Sequence, residues 1–402
     1  MLPTILLALL IGFFGGYASA AVGGRSGCPL SGAQCAQFGN FWRAWQLATD
    51  KYVDAKAIDP QKMVDGAISG MLASLGDTGH TRYLPASEAK AERESLAGKF
   101  EGIGAFISMK DGDLVITAPI DGSPAERAGI RAGDIILRVD GVDVSGLAVD
   151  QLTSKVRGPK GTRVTLTVRH VGATEPVDIV VIRDEIKVTS VSWSMLPQRV
   201  AMIHINRFSA GTSDEFKAAL AAAQKAGATS IVLDLRNNPG GFVDELIQTA
   251  DQLLPPNSTV LIEADRAGTR TPRTTGASSV PTTLPLVVLV NENTASAAEI
   301  LAGALKDDKR AEVIGVNTFG TATVLSLFDL DGGAQVRLGT SQWLTPSGAE
   351  VRGKGITPTQ RVALNPGVSG LSNKEAAALP LADLLSGQDT QLAAALRALG
   401  KK

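Results

Sequence analysis

Apolar and polar positions recur with changing periods along the chain, and those changes divide it into segments. From about Phe38 to Leu96, apolar residues such as Phe41, Trp45, Leu47, Tyr52 and Val53 sit among polar ones at helical spacing. The stretch MVDGAISGMLASL repeats this pattern and stops at Gly76-Asp77, a turn signal. An N-terminal helical region over 21–98 follows from it. Between Phe100 and Asp184 the runs become short and β-rich (LVITAPI, DIILRVDGVDV, RVTLTVRHV, VDIVVIR), separated by Gly- and Asp-rich turns. Two short helices, PAERAG and AVDQLTSKVRG, interrupt them. This reads as a separate small β-barrel domain over 99–184.

From Ile186 onward strands and helices alternate. AMIHI, SIVLDLR and LPLVVLVN read as strands, and DEFKAALAAAQKAG, FVDELIQTADQLL and ASAAEILAGALKDD as the helices between and after them. That order predicts an α/β core over 185–365, a mainly parallel sheet covered by helices. AEVIGV, TVLSLFDL and AQVRLGTSQWLT read as further strands, and the tail 366–402 ends in the amphipathic stretch TQLAAALRALGKK. A chain of 402 residues is too long for one compact core, in keeping with several domains.

A net charge of −1 removes any electrostatic case for nucleic acid or an anionic membrane surface. There is no phosphate loop, no H-E-x-x-H and no metal-spaced Cys/His cluster, so neither a cofactor nor a metal is expected. The 3 histidines are His80, His170 and His204, and any catalytic imidazole must be one of them. The N-terminal run Ile5 to Phe14, followed by Ala18-Ser19-Ala20, has the layout of a signal peptide over 1–20. No Lys or Arg precedes Arg25, and apolar and small residues continue to Val22, so an uncleaved membrane anchor is the alternative. Either reading places the body of the protein outside the cytoplasm, in the periplasm, cell envelope or medium. Cys28 and Cys35, the only cysteines, suggest a local disulfide in an exported chain, with two free thiols as the alternative. The oligomeric state is left open.

In an open parallel sheet, ligands bind at the carboxyl ends of the strands. Two βα turns stand there: Asn237-Asn238-Pro239-Gly240-Gly241, and Glu292 to Ala297 leading into a helix. Ser296 at that helix N-terminus would stand beside the unpaired amide of Ala297, where the helix dipole favours developing negative charge. Gly240 and Gly241 permit the dihedrals needed to present a second amide. Two such donors stabilise the oxyanion of an acyl-transfer intermediate. A serine at this position is also an ordinary helix cap.

The stretches VNENTASAAEILAGAL, LDLRNNPGG, TFGTATV and LTPSGAEVRGKGITP resemble, in order and spacing, the carboxyl-terminal processing proteases. The resemblance runs from about Phe41 to the C-terminus. It implies a crotonase-like sheet core interrupted by a PDZ domain, with Ser296 as nucleophile. Phe100 to Ala105 resembles the carboxylate-binding loop of a PDZ domain, so Gly102, Ile103, Gly104 and Ala105 are expected to hold a peptide's end. SPAERAGIRAGDIILRVDG matches the later PDZ strand and turn. The partners so implied are polypeptides with free C-termini.

One departure matters. The family's general base is a lysine, followed four residues later by a glutamine; here those places hold Thr321 and Leu325. Threonine cannot take the serine proton at neutral pH. GDTGHTRYL resembles the D-G-H-T signature of tricorn-type peptidases, a sister branch in which the histidine is the base, which points to His80. An imidazole near pKa ~6.5 suits that work. In that branch a glutamate just before the final G-V-x-P element orients the base. Arg352 stands at roughly that place, and Glu350, two residues earlier on the same strand face, is the candidate orienter. Lys306, Lys309 and Lys354 are substitute bases of surface character, while His170 and His204 read as structural. Two functions remain: an active serine endopeptidase, or a pseudoprotease that binds peptides through its PDZ domain.

Overall fold

The computed structural model describes residues 32–77, 80–110, 112–120 and 122–401. The expected signal segment and Cys28 lie outside the described residues, so the disulfide expectation does too. Among the described residues, no helix is long and apolar enough to cross a membrane.

The chain forms two compact units, Met1–Gly70 and Met71–Lys402. In the first, the helix Gly32–Lys51 precedes the start of a second helix, Pro60–Ala73. That second helix begins three residues before the periodic run, because Asp59 Oδ1 accepts from the Gln61 and Lys62 amides at 3.0 and 3.2 Å. Pro60, which has no amide to satisfy, occupies the first position.

The larger unit is built on a six-stranded sheet. Its order is Val191–Leu196, Val200–Ile205, Ser230–Asp234, Leu286–Val290, Glu312–Gly315 and Gln360–Arg361. The first pair is antiparallel and the others are parallel, as the strand–helix alternation predicted. Alternate residues of each strand supply two different cores. Ala201, Ile203, Ile231, Leu233 and Val288 face Phe216, Leu246 and Leu301, from helices Thr212–Lys225, Val243–Ala250 and Ala297–Asp307. Met202, Val232, Val287, Leu289 and Ile314 face Ala376, Leu384, Leu392 and Leu396 from the C-terminal helices.

The carboxyl-terminal strands do not extend this sheet. Thr323–Asp329 and Gln335–Leu344 form a hairpin in a second, antiparallel sheet with Arg82–Leu84 and the hairpin Thr259–Ala264/Arg270–Thr274. The pair 259–274 was missed in the sequence. Its alternation is interrupted by charge, and only the D-R-A-G turn marks it.

The PDZ segment is framed by a two-stranded ladder, Lys99–Gly102 against Asp184–Lys187. Inside it the strands run in the order Ala105–Lys110, Asp113–Pro119, Ile135–Val139, Arg163–Arg169, Val177–Ile182. They enclose a core of its own around Ile116, Leu152, Val164, Leu166 and Val168. The described ladder does not close into a barrel, and Ala105–Lys110 is left as an edge strand.

A buried ion triad ties the C-terminal helices to the carboxyl end of the strand Ser230–Asp234 in the central sheet. Arg236, 4 % exposed, donates to Asp234 (Nη2–Oδ2 2.7 Å) and to both oxygens of Asp389 (3.0 Å each). Asp389 also accepts from the Leu371 and Leu392 amides, capping the last helix. Breaking such a group strands a buried charge donor, at a cost of about 3–5 kcal/mol. Asp389→Ala is therefore expected to lower core stability by that order in urea unfolding, and Asp389→Asn, which keeps the cap acceptor, by less.

Candidate active site

Ser296 closes the turn between the strand Leu286–Val290 and the helix Ala297–Asp307. Its backbone is at φ 54°, ψ −121°, a left-handed conformation that costs a non-glycine residue roughly 1–3 kcal/mol. The surroundings hold it there. The Ser296 amide donates to Glu299 Oε2 (2.9 Å) and to Thr321 Oγ1 (2.7 Å). The Ser296 hydroxyl makes no cap bond to the helix, so it is not spent on ordinary capping.

Glu299 is the hub of this arrangement, fully buried at 0 % exposure. Besides Ser296 it accepts from Thr318 Oγ1, the Gly320 amide (2.7 Å), the Thr321 amide (2.9 Å) and Thr321 Oγ1 (2.8 Å). A buried carboxylate is tolerable only with this degree of satisfaction. Thr321 thus fills the place of the family's lysine with a hydroxyl that donates to Glu299 and accepts from the Ser296 amide. The S-x-x-E spacing from Ser296 to Glu299 was a capping-box signal in the sequence.

The two predicted βα turns are stapled together. The Asn237 amide donates to Asn291 Oδ1 (2.9 Å), and the Asn291 and Asn293 amide groups donate to Asn237 Oδ1 (2.8 and 3.0 Å). Gly240, at φ +97°, lies so close to Ser296 that an added Cβ would sit 2.7 Å from Ser296 Cβ and 2.9 Å from Ala297 N. Its own amide, however, donates to Asn238 Oδ1 at 2.8 Å. The Gly241 and Ala297 amides have no acceptor among the described residues, which leaves both free to donate.

His80 lies beyond the helix Pro60–Ala73, next to the strand Arg82–Leu84, and shares with Ser296 the lining of a cavity of about 1150 Å³. Asn237, Gly241, Phe242, Ala295 and Phe319 line it too, and the Phe319 ring stands 6.0 Å from the imidazole. Nδ1 of His80 is buried without a hydrogen-bond partner among the described residues. Burial holds the imidazole below its ordinary value, against the opposing pull of Asp77; Arg337 lowers it further and Glu299 raises it.

Glu350 is not brought to this group. It is exposed, bridged through its backbone to Leu344, and absent from the cavity lining. The parity between Glu350 and position 352 needs a regular strand, but the chain turns after Val351, where the Lys354 and Gly355 amides donate to the Val351 carbonyl. The carboxylate beside His80 is Asp77, whose carbonyl accepts from the His80 amide at 3.2 Å and whose Oδ2 accepts from Thr81 Oγ1 at 2.7 Å. Arg352 reaches Asp77 Oδ1 at 3.9 Å. His204, 3.9 Å from Asp234, and His170, 2.7 Å from Asp134, lie beside carboxylates outside the cavity lining.

In the PDZ segment, Gly102 ends the framing strand, Ile103 is buried, and Ala105 opens the edge strand Ala105–Lys110. Gly104 has φ +76°, and a Cβ there would fall 2.5 Å from Ser123 Cβ. The amides of Ile103 and Gly104 donate to nothing among the described residues.

These features agree with comparisons to known proteins. The model of Peptidase family S41 matches residues 199–362, and that of the PDZ domain residues 115–170. The carboxy-terminal processing protease CtpA of Bacillus subtilis (strain 168) is 37% identical over 320 residues, covering 79% of this chain and 67% of the relative. A probable CtpA-like serine protease of Staphylococcus aureus (strain COL) is 38% identical over 313 residues, 78% and 62% of the two chains. The chain thus spans about two thirds of the length of these relatives. The structure of a photosystem II D1 C-terminal processing protease, 27% identical, superposes with a TM-score of 0.50 over 88% of this chain and 98% of that one. A putative S41 protease from Bacteroides fragilis shares the fold at TM-score 0.52 and 18% identity, covering 89% and 97%. The chain belongs to peptidase family S41, a serine-type family, and carries a PDZ domain.

The Thr321 hydroxyl bonds a buried charge, so its loss is expected to cost about 1.5–3 kcal/mol. Thr321→Ala should lower core stability by that amount in urea unfolding, and Thr321→Ser should recover most of it.

Proposed function

We propose that this chain is an exported serine endopeptidase that cleaves unfolded or C-terminal segments of polypeptides. The single observation that carries this reading is Ser296. It is held at positive φ, its hydroxyl is unspent on capping, and the unpaired Ala297 and Gly241 amides stand beside it. A serine hydroxyl needs a neighbour to take its proton. His80, facing the same cavity, is that base. Asp77, in place of Glu350, is the carboxylate that favours its charged form.

Ser296 Oγ attacks the scissile carbonyl while its proton passes to the imidazole. The Ala297 and Gly241 amides receive the oxyanion, His80 returns the proton to the leaving amine, and water then hydrolyses the acyl-serine. No step needs a cofactor. Residues 99–184 form the substrate-capturing PDZ domain, 185–365 the peptidase core and 366–402 its helical tail. The free edge of Ala105–Lys110 and the unpaired Ile103 and Gly104 amides suit capture of a polypeptide C-terminus as an added strand.

His80→Ala and Ser296→Ala should each remove nearly all cleavage of an unfolded protein substrate, and the double variant should be little worse than either. The neutral imidazole is the active form, and burial depresses its pKa. The acid limb of kcat/KM should therefore be centred below 6.5, with activity lost as pH falls through it. A folded His80→Ala protein with wild-type turnover would overturn the Ser–His assignment. If the wild type shows no Ser296-dependent cleavage, the pseudoprotease reading replaces this one.

The segment from about Lys99 to Asp184 should bind peptides ending in a free carboxylate. Fluorescence anisotropy giving equal affinity for the amidated peptide would remove the capture role.

A further inference from the structure

Two edges of the antiparallel sheet differ in how they are protected. Arg270–Thr274 carries two arginines and Pro272, features that keep further strands from pairing with an edge. Thr323–Asp329 pairs with Gln335–Leu344 and has no second neighbour strand among the described residues. Its first six residues, Thr-Val-Leu-Ser-Leu-Phe, hold neither charge nor proline. An edge left so unprotected is one that another chain can join.

The backbone groups on that open edge follow from the ladder. Along an antiparallel pair, successive residues turn their amide and carbonyl towards the neighbour and then away from it. The Trp343 amide donates to the Ala322 carbonyl at 2.8 Å, so Ala322 faces the neighbour and Thr323 faces away. The Gly339 amide donates instead to Thr81 Oγ1 at 2.9 Å, on the far side of its own strand. Leu325, opposite Gly339, therefore turns its amide and carbonyl outward, and Leu327 does so two residues on. The irregularity of this ladder is the extra residue Thr340 in the partner strand, so the alternation along 323–327 is unbroken.

This edge also borders the site. Thr321, whose hydroxyl accepts from the Ser296 amide, lies two residues before the strand begins. Every residue from Thr323 to Leu327 lines the cavity shared by Ser296 and His80. Successive side chains of a strand point to opposite faces of its sheet. A space that meets all five residues therefore runs along the edge itself.

Resting on the Ser296–His80 reading, we propose that the outward amides and carbonyls of Leu325 and Leu327 bind the substrate main chain as an added strand beside the scissile bond. An extended segment laid there exchanges ladder hydrogen bonds with every second residue of the protein strand. Such bonds are indifferent to side chains, so the edge accepts unfolded segments of varied sequence. It rejects proline at the paired positions, because proline has no amide hydrogen to give. This site is separate from the edge Ala105–Lys110, and it holds a substrate at the cleavage point, not at its end.

The test uses the full chain and a fluorogenic peptide with an amidated C-terminus, which keeps PDZ capture out of the measurement. Single N-methyl groups are placed one residue at a time on both sides of the cleaved bond, beyond the two residues that form it. On the side that pairs, kcat/KM should fall by about tenfold at alternate positions, through KM, and by little between them. Leu325→Pro deletes one outward amide at a place where an edge strand tolerates proline. Relative to Leu325→Ala it should raise KM by about tenfold and shrink the N-methyl penalty at the partnered position. Ser326→Pro loses an inward amide and should instead lower the urea midpoint of the core. If Leu325→Pro does not fold, Leu327→Pro tests the next outward amide, and the N-methyl series needs no variant. N-methyl penalties without two-residue alternation, or equal in the Pro and Ala variants while cleavage still depends on Ser296 and His80, overturn the role of the edge alone. Loss of Ser296 dependence overturns the peptidase reading beneath it.

Discussion

A carboxylate with no access to water sits directly under the candidate nucleophile, and the site is organised around satisfying it. Glu299 accepts hydrogen bonds from residues 296, 318, 320 and 321. Each partner is thereby drawn to one point, from two segments about twenty residues apart. Removing an ionised group from water without such partners would cost many kcal/mol. The clamp therefore holds Ser296 at positive φ and closes the Thr318–Thr321 loop behind it. Thr318 carries the constraint one step further, since its hydroxyl also accepts from the Ile356 amide at 2.6 Å. The short Thr321 hydroxyl completes the shell, and in the proposed mechanism the proton acceptor comes from another element.

That element enters from the second sheet. Arg82–Leu84 pairs with Gln335–Leu344, and the Thr81 hydroxyl accepts from the Gly339 amide at 2.9 Å while donating to Asp77. His80 is carried on this short connection, between a backbone held by Arg337 and a ring facing Phe319. In the proposed mechanism the central sheet supplies nucleophile and oxyanion donors, and the antiparallel sheet supplies the base. Ser296 and His80, carried by different sheets, line one cavity.

The oxyanion turn is held from the opposite side of the central sheet. Arg236 begins the turn that ends in Gly240 and Gly241, and its guanidinium is shared between Asp234 and Asp389. The C-terminal helices therefore do more than cover an apolar face. The cap of the last of them, Asp389, is one of the anchors of the turn, which explains how a tail remote in sequence bears on the geometry next to Ser296.

Local pattern alone determined much of this protein. Period-two runs and βα alternation marked the central sheet and the PDZ strands, because burial on one or both faces writes itself directly into the order of residues. Ser296 at a helix start and the glycines of the turn were legible for the same reason, since dihedral and cap requirements are met within a few residues. Tertiary structure decided the rest. That Gly241 and not Gly240 keeps a free amide depends on the Asn238 side chain folding back. That Asp77 and not Glu350 lies beside His80 depends on a turn after Val351 that breaks strand parity. Arg207 and Arg337 meet at Glu92 across 115 and 245 positions of chain. Such partners are chosen by charge and burial in space, and nothing in their local sequence records the choice.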